Sequence, residues 1–376
     1  MARNRVIYQS EALFVSKNAA TEAVTAQQQL ERVQSANFSY TINRQDINQF
    51  GELARIDSII LDPPTVSLDL SYYVTDGLNE RALGFWQSEG VNANYVTSNF
   101  ASGHMIGGSG ANLFIATCPE GDDLNTRTGY GNNETTVIGV GNAYLSDYTL
   151  DMSVGSIPTA SVSFEGANIR SDNTATGVGT MLRVDTPAVD QEAGTAFAGG
   201  SEGGTVLLPP ATTGTSTIAA LRPGDITVSL SNFDGDAIAD LAGSDGAHVQ
   251  SVSISAPLSR SPLDRLGSRF PFAREVDFPV NVSMSISAIV NETAAFQLAN
   301  ELTGGANAAT VTLKNKAGIP AMVWTLSGAK IDSESFSTSI GSNQSVDLTL
   351  TAQVGGINDK SNGLFLSGIK TTTPFS

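Results

Sequence analysis

The chain has 376 residues, with 20 Lys and Arg against 37 Asp and Glu, so its formal net charge is −17 and only 15% of its residues are charged. This balance argues against a phosphate-binding surface built from Lys and Arg, and the single cysteine, Cys118, excludes an intramolecular disulfide and a cysteine-rich zinc site. No apolar run reaches the length of about 18 residues that a membrane-spanning helix needs.

The first half of the chain contains one clear strand pattern and two helix patterns. Residues 17–32 are a weak helix prediction, because they lack a clear apolar face. Residues 66–72 alternate Val, Leu, Leu and Tyr with Ser, Asp and Ser, as a half-buried antiparallel strand does. Residues 79–86 then predict a short helix.

The second half repeats this scheme. Residues 280–286 and 346–350 alternate apolar side chains with Asn, Asp, Ser and Thr, which predicts two more strands. Between them, residues 291–302 begin with an Asn cap and carry an apolar helical stripe. Because the polar strand positions are mostly Ser and Thr, we expect a mainly β protein with one weakly charged sheet face.

An internal repeat organises these elements. Residues 33–76 align without a gap on residues 249–292, a shift of 216, with 11 identities in 44 positions. Residues 135–166 align on residues 321–352 at a shift of 186. The shift falls by 30, so the first copy carries about 30 extra residues, which we place within 77–134.

The repeat predicts two tandem domains. The first is 1–170, with its insertion within 77–134, and the second is 222–376. Residues 171–221 connect them and are rich in Gly, Thr, Ala and Pro. The sequences TMLRV and TVLLPP within this segment predict extra strands there.

The sharpest local motif is NFDGDAIAD at residues 232–240. Oxygen ligands at its first, third, fifth and ninth positions are typical of a Ca²⁺ loop. Ala237 replaces the expected turn Gly, and Gly243 stands where a bidentate Glu is expected. An Asp- and Gly-rich turn is therefore the favoured interpretation, and calcium is the alternative. The four candidate ligands are Asn232, Asp234, Asp236 and Asp240.

No pattern indicates catalysis or a bound cofactor. His104 and His248 lie far apart, and the sequence holds no signature of a nucleophile or an orienting acid beside either one. The Gly-rich residues 107–112 do not join a strand to a helix and lack a following Lys, so they are typical of a loop and not of a phosphate-binding site. Cys118 follows an apolar strand pattern and is expected to be buried. We therefore expect a protein that is not an enzyme.

Residues 153–168, SVGSIPTASVSFEGAN, together with VQSANFSY at 33–40, the following Arg44 and Gly51, and the strand at 66–73, resemble bacteriophage tail tube (major tail) proteins. This resemblance implies two tandem antiparallel β-sandwich or split-barrel domains, each with a short flanking helix. It also implies that long strands of neighbouring subunits join to line a hollow tube. With two such domains in one chain, three chains would make a ring with pseudo-six-fold symmetry.

The resemblance also implies a location and partners. It places the protein in the virion tail, after assembly in the host cytoplasm, with no membrane partner. The N-terminus likewise lacks the apolar segment typical of a secretory signal. The implied partners are further copies of the chain, the tape measure protein in the lumen, the tail terminator, and baseplate or tail-tip proteins. Double-stranded DNA would pass through without specific binding, as the acidic charge favours.

An arginine-rich loop spans residues 260–274 in this acidic protein. The resemblance makes it a contact between subunits that faces an acidic neighbour, and a solvated basic loop is the alternative. The arginines concerned are Arg260, Arg265, Arg269 and Arg274. The segments 77–134 and 171–221 are candidates for contacts between rings or for an outer decoration.

Two other functions remain open at this stage. One is another ring-forming tail component, such as a terminator or a distal-tail ring. The other is a two-domain β-sandwich binding or adhesin module with a calcium loop at 232–241.

Overall fold

The computed structural model describes part of the chain. The described residues are 11–17, 27–61, 64–85, 88–89, 110–118, 124, 136–166, 168–173, 179–182, 205–208, 221, 224, 226–231, 248–263, 266, 273–289, 307–338, 343–355, 359 and 361–368.

Strands dominate the described residues, and one short helix, α1, spans Leu78–Ala82. The strands of the first half are β1 Glu11–Lys17, β2 Gln27–Leu30, β3 Val33–Thr41, β4 Arg44–Ile47, β5 Asp57–Ile60, β6 Thr65–Tyr73, β7 Ser88–Glu89, β8 Ala111–Thr117, β9 Thr136–Ser153, β10 Thr159–Gly166 and β11 Asn168–Asn173. Those of the second half are β12 Gly179–Leu182, β13 Thr205–Leu208, β14 Ile226–Ser231, β15 His248–Pro257, β16 Arg260–Leu263, β17 Ala273–Val276, β18 Val280–Ile289, β19 Asn307–Lys314, β20 Pro320–Ser337, β21 Ser345–Val354 and β22 Gly363–Gly368.

The mainly β fold class is confirmed, and the helix and connector predictions have mixed outcomes. Helix α1 overlaps the predicted 79–86 region, but it begins one residue earlier, at Leu78, and ends at Ala82. The prediction of a helix over 17–32 is wrong at residues 27–30, which form β2 and pair with β1. The helix predicted at 291–302 lies outside the described residues. The extra strands predicted in the connecting segment are β12 and β13, and the structure shows in addition that they pair with each other.

One continuous antiparallel layer joins the two halves of the chain. Its order is the second half of β20, then β21, β18, β15, the second half of β9, β10, β6 and β3. We call these eight strand segments the central layer. Alternation buries one face of inner strands such as β6, β18 and β21, and their apolar side chains share one hydrophobic core across both halves. The other face is polar. The outer strands β3 and the second half of β20 stay mostly exposed.

Two long strands, β9 and β20, extend from the central layer to the strands that pair with their first halves, which we call the second layer. The first half of β9 pairs with β8 and β11, and its second half pairs with β10 and β15. The first half of β20 pairs in the same way with β19 and β22. Asn142 in β9 and Gly328 in β20 both have positive φ, 51° and 69°, where the two halves of each strand meet, which we call its corner. Gly and Asn are the residues that tolerate this conformation best.

The strand registers repeat at the shifts found in the sequence. Val162 pairs with Leu70 across β10 and β6, and Leu348 pairs with Ile286 across β21 and β18. The same register break follows Val33 in β3 and Val249 in β15. The central-layer pairings of the first half therefore recur in the second half, although the boundaries 1–170 and 222–376 themselves stay predictions.

The registers also divide the extra residues of the first half. Leu113 of β8 pairs with Val140, and Ala309 of β19 pairs with Leu326, so β8 and β19 correspond at an intermediate shift of 196. Of the 30 extra residues, 20 therefore precede β8 and 10 lie between β8 and β9.

Candidate assembly surface

The polar face of the central layer is a continuous surface of hydroxyl groups. Strand register aligns Ser71, Ser161, Thr149, Ser255 and Ser283 in one row across five strands. Hydroxyls of neighbouring strands lie in hydrogen-bonding contact, with Oγ–Oγ distances of 2.6 Å for Ser35–Ser71, 2.7 Å for Ser39–Ser67 and 2.8 Å for Ser337–Ser345. Such pairs stabilise a sheet that has few charges on this side.

The ionisable groups on this face are mostly acidic. Ser163 donates a hydrogen bond of 2.6 Å to Asp69, and Ser253 donates one of 2.7 Å to Asp151. Asp147 and Asp347 occupy further positions of the same face, opposite Ser163 and Ser287. Lys330 lies opposite Thr351 at the far end of the layer. The described strands therefore present a weakly negative surface here.

The two halves of the chain meet where β15 pairs with β9, and we call this the intrachain junction. Ile254 lies opposite Leu150, and both side chains are fully buried. The backbone of Val154 donates to Gln250 O at 2.9 Å, and that of Leu258 donates to Ser146 O at 2.8 Å. The junction thus combines a ladder of backbone hydrogen bonds with an apolar seam.

Two arginines from the second half fasten the β16–β17 hairpin to the first half. The Arg260 guanidinium donates from Nε to Leu145 O at 3.0 Å and lies 5.3 Å from the centre of the Tyr144 ring. Arg274 is largely buried and donates to Glu165 Oε2 at 2.6 Å. Burial lowers the pKa of Arg260 from its ordinary value.

The four arginines predicted as subunit contacts are therefore placed unequally. Arg260 and Arg274 come together, since Arg260 also donates to Arg274 O at 3.2 Å. The acidic partner of Arg274 within the chain is Glu165. Arg265 and Arg269 lie outside the described residues. The role of this loop between subunits stays a prediction.

A buried carboxyl group near the junction was not anticipated from the sequence. Helix α1 carries Glu80 into the core, where the Tyr72 hydroxyl donates to Glu80 Oε1 at 3.0 Å. Burial raises the pKa of Glu80 to about 7, an effect that the Tyr72 hydrogen bond opposes. Burial and the nearby Glu80 carboxyl raise the pKa of Tyr148, whose ring packs edge-on to Phe85 at 4.8 Å.

Asn79 beside Glu80 fixes α1 to the chain before β3. Its side chain accepts a hydrogen bond from the Glu31 backbone at 2.8 Å and donates one to Glu31 O at 2.7 Å. A polar Asn–Glu pair at the start of a short helix is an ordinary surface pattern, so nothing in the sequence distinguished these two residues from solvated ones.

The two ends of the central layer expose apolar side chains. At one end, β3 leaves Phe38 41% exposed and Tyr40 61% exposed. At the other end, the second half of β20 leaves Phe336 40% exposed. Neither strand has a further pairing partner on its outer side among the described residues. We call these the β3 edge and the β20 edge.

The β3 edge adjoins a groove and a protruding hairpin. The groove has a volume of about 550 Å³ and is lined by parts of β1, β2 and residues 31–37. The hairpin consists of β4, β5 and the turn between them, and its tip carries the fully exposed Phe50 and Leu53. Exposed apolar groups grouped in this way mark surfaces that contact other proteins.

Of the remaining predicted residues, only His248 and Cys118 belong to the described part of the chain. The calcium candidates Asn232, Asp234, Asp236 and Asp240 lie outside the described residues, as does His104. His248 begins β15 and is exposed, and Cys118 is buried in a small cluster with Phe14 and Phe114. Within the described residues, no group of three or more His, Cys, Asp and Glu is placed to hold a metal ion. The same part of the chain contains no helix of the length and hydropathy required to cross a bilayer.

Comparisons with known proteins give partial structural likenesses, of which two follow. No protein-family model matches this chain, and no curated protein matches it. The chain is similar to one in the cryo-EM structure of the anti-feeding prophage (AFP) baseplate, with 19% identity and a TM-score of 0.24 over 33% of this chain and 80% of that one. It is also similar to one in the hybrid solid-state NMR and cryo-EM structure of the SPP1 tail tube, with 14% identity and a TM-score of 0.26 over 41% of this chain and 81% of that one.

Proposed function

We propose that this chain is a structural protein of a phage tail, which assembles with copies of itself into rings that stack as a hollow tube for the passage of DNA. The observation that carries the proposal is the central layer, in which two repeated halves form one sheet with a polar face and an open edge at each end. Sheet edges with unpaired backbone groups are hazardous in a monomer, yet they are joining surfaces in an assembly.

The two open edges favour a closed ring. The β3 edge and the β20 edge are different surfaces, so a contact between them is heterologous and repeats from chain to chain. Such a series closes into a ring when its rotation closes. With two repeats in each chain, we propose three chains in each ring and pseudo-six-fold symmetry, as the sequence resemblance implies.

The polar face supports a role as the lumen wall. Hydroxyl groups keep the surface wet, and Asp69, Asp147, Asp151 and Asp347 give it negative charge. DNA phosphates gain affinity from Lys and Arg, so an acidic hydroxyl surface repels them and lets DNA slide past. The proposal gives the chain a conduit role and no catalytic one.

Stacking of rings requires a second surface. The β4–β5 hairpin extends away from the strands that carry it and exposes Phe50 and Leu53, and the β16–β17 hairpin exposes Leu266 at the corresponding place. We propose these apolar tips as contacts between successive rings. In a complete tail the lumen would hold a tape measure protein, and the ends of the tube would meet the terminator and the baseplate or tail-tip proteins.

Electron microscopy of the purified protein tests the proposal. The expected result is hollow stacked rings whose averaged end views have three-fold symmetry and six similar lobes. Rings of six chains would retain the tube and overturn the trimer. Single rings that never stack would support a terminator or distal-tail ring. Particles that stay monomeric at all concentrations would overturn the proposal.

A further inference from the structure

We propose that β3 of one chain pairs antiparallel with the second half of β20 of the next copy, in the register that β15 and β9 use inside each chain. This inference rests on the proposed function and names the partner of each sheet edge: a second copy of the chain, bound through the opposite edge.

The order of the central layer provides the template. Strand β15 is the copy of β3, and the second half of β20 is the copy of the second half of β9, as the repeated registers establish. Within the chain, β15 already pairs with β9. The β3 edge is therefore equivalent to the β15 side of the intrachain junction, and the β20 edge is equivalent to its β9 side. Within one chain, these two edges are not paired with each other.

The register of the contact between chains follows from the two sequence shifts. Ser253 lies opposite Asp151 in the intrachain junction. Subtracting 216 from position 253 gives Asn37 of β3, and adding 186 to position 151 gives Ser337 of β20. The same operation converts the pair Ile254 and Leu150 to Phe38 and Phe336, and the pair Ser255 and Thr149 to Ser39 and Ser335.

Residues that are buried in the intrachain junction have exposed counterparts at the β3 and β20 edges, as this pairing requires. In the intrachain junction Ile254, Leu150 and Ala256 are fully buried. Their counterparts Phe38, Phe336 and Tyr40 are 41%, 40% and 61% exposed in the single chain. Joining the edges would remove these three aromatic rings from water, and aromatic side chains contribute strongly to interfaces.

The side chains that face each other across the proposed contact are complementary on both faces of the sheet. On the core side of the intrachain junction, the small Ala256 lies opposite the large Tyr148. The corresponding pair between chains is Tyr40 and Glu334, and a carboxyl group accepts hydrogen bonds from a hydroxyl. On the polar face, the Ser253–Asp151 hydrogen bond is replaced by Asn37 opposite Ser337, again a donor and an acceptor.

One part of the junction has no good counterpart. The Arg260 guanidinium packs on the Tyr144 ring inside the chain, and the same positions between chains are Arg44 and Lys330. Two cations face each other there. The contact between chains is therefore weaker than the intrachain junction beside Arg44, at the base of the β4–β5 hairpin. The strand pairing itself is the same.

A disulfide between positions 37 and 337 tests the register. The backbone hydrogen bonds of Val154 and Leu258 show which opposite pairs in the junction are hydrogen-bonded. Since the two kinds of pair alternate, Asp151 and Ser253 form a non-hydrogen-bonded pair, and so would positions 37 and 337. Side chains at such sites have Cβ atoms about 4.5–5.5 Å apart, which a disulfide spans after a small approach. The variant carries Asn37→Cys and Ser337→Cys in the full chain. Oxidation of assembled protein is expected to link chains into closed covalent rings, with the 37–337 bridge identified by mass spectrometry.

A matched control uses the same strands out of register. The variant with Ser39→Cys and Ser337→Cys places the two thiols on a diagonal about 7–8 Å apart, too far for a disulfide without backbone movement. Its chains are expected to stay unlinked. The wild type, with the buried Cys118 alone, controls for the native thiol.

The outcomes separate this inference from the proposed function. Rings seen by microscopy together with a 39–337 bridge, or with no bridge in either variant, would overturn the register and leave the ring intact. Linked dimers in the single variant Asn37→Cys would show β3 pairing with β3 and would also overturn the inference. A wild type that never assembles would overturn both.

Discussion

Glu80 brings a carboxyl group into the core of the first half, where the Tyr72 hydroxyl is its hydrogen-bond donor. A carboxyl group is favoured there in its protonated form, because burial penalises the charge. Its pKa is raised from 4.5 to about 7, so the folded state holds a proton that the unfolded state has already released in this range. The contribution of Glu80 to stability is therefore present below about pH 4.5 and decreases as the pH rises to about 7.

Glu80→Gln removes this titration. We expect the wild type to lose thermal stability between pH 5 and pH 8 relative to the variant, whose neutral amide no longer ionises. The measurement is the melting temperature of both proteins across that range. Tyr72→Phe is the control, because it keeps the carboxyl group and should keep the pH dependence while moving it to higher pH. Equal pH dependence in wild type and Glu80→Gln would contradict the assignment.

The ion pairs of the chain differ in burial, and their energies should differ accordingly. Arg274 has a side chain only 9% exposed and contacts Glu165 at 2.6 Å, whereas Arg55 is 60% exposed and contacts Asp46 at 2.9 Å. Arg274→Ala should lower the free energy of unfolding by about 1–3 kcal/mol, because a charged hydrogen bond is lost at a packed site. Arg55→Ala should cost less than about 1 kcal/mol. Urea denaturation measures both, and equal losses would refute the distinction.

The corners in β9 and β20 are the elements that let one strand serve two layers. Gly328 has a φ of +69°, and a Cβ added to it would lie 3.2 Å from Ser361 O and closer still to the Asn362 side chain. Gly318, in the turn before β20, has a φ of +76° and open space around it. The two glycines thus share a conformation but not an environment.

Gly328→Ala should therefore destabilise the protein more than Gly318→Ala. Both substitutions carry the conformational cost of a left-handed residue, about 1–2 kcal/mol, and only the first adds a clash with backbone and side chain. The difference in urea midpoint at equal slope measures the added cost. Similar midpoints for the two variants would mean that the corner relaxes around the new methyl group.

Alternation was sufficient to predict the strands of the central layer. The patterns at 66–72, 280–286 and 346–350 correspond to β6, β18 and β21, each with one buried face. The 18-residue strand β9 was only partly visible, because it changes partners at Gly141 and Asn142 and both of its faces are buried in part. Strand β2 was mistaken for helix, since its run of Gln carries no strand pattern and its pairing with β1 is a tertiary contact.

The polar face of the central layer was predictable from the sequence, but the positions of its two edges were not. Ser and Thr at alternate positions are enough to indicate a weakly charged sheet face from the sequence alone. The edges could not be located in this way, because an exposed Phe38 and a buried Ile254 look alike in a sequence alignment. Only the strand order distinguishes them.

The whole molecule presents two edges that differ from the intrachain junction at one unfavourable place. Arg44 and Lys330 occupy the positions of Arg260 and Tyr144, and both are exposed in the single chain. If the edges join as proposed, these cations approach each other. A carboxylate at position 330 would replace this repulsion with an attraction, which should raise the association constant between chains several-fold.

Lys330→Glu should therefore lower the concentration at which chains assemble, and sedimentation velocity over a dilution series measures it. Lys316→Glu makes the same change in net charge at an exposed turn before β20 and should leave assembly nearly unchanged. The effect should diminish at high salt, because exposed charges are screened. Weaker assembly in Lys330→Glu would place Arg44 elsewhere.

The intrachain junction also has an arithmetic consequence. Since β9 and β15 belong to one polypeptide, every second contact in the proposed ring would lie within a chain and form without a collision between molecules. Half of the contacts would therefore avoid the loss of translational freedom that association of separate subunits involves. Repeats can then be added only in twos. A ring that is one repeat too small or too large would leave half a chain unpaired, so connectivity alone removes the nearest errors in ring size.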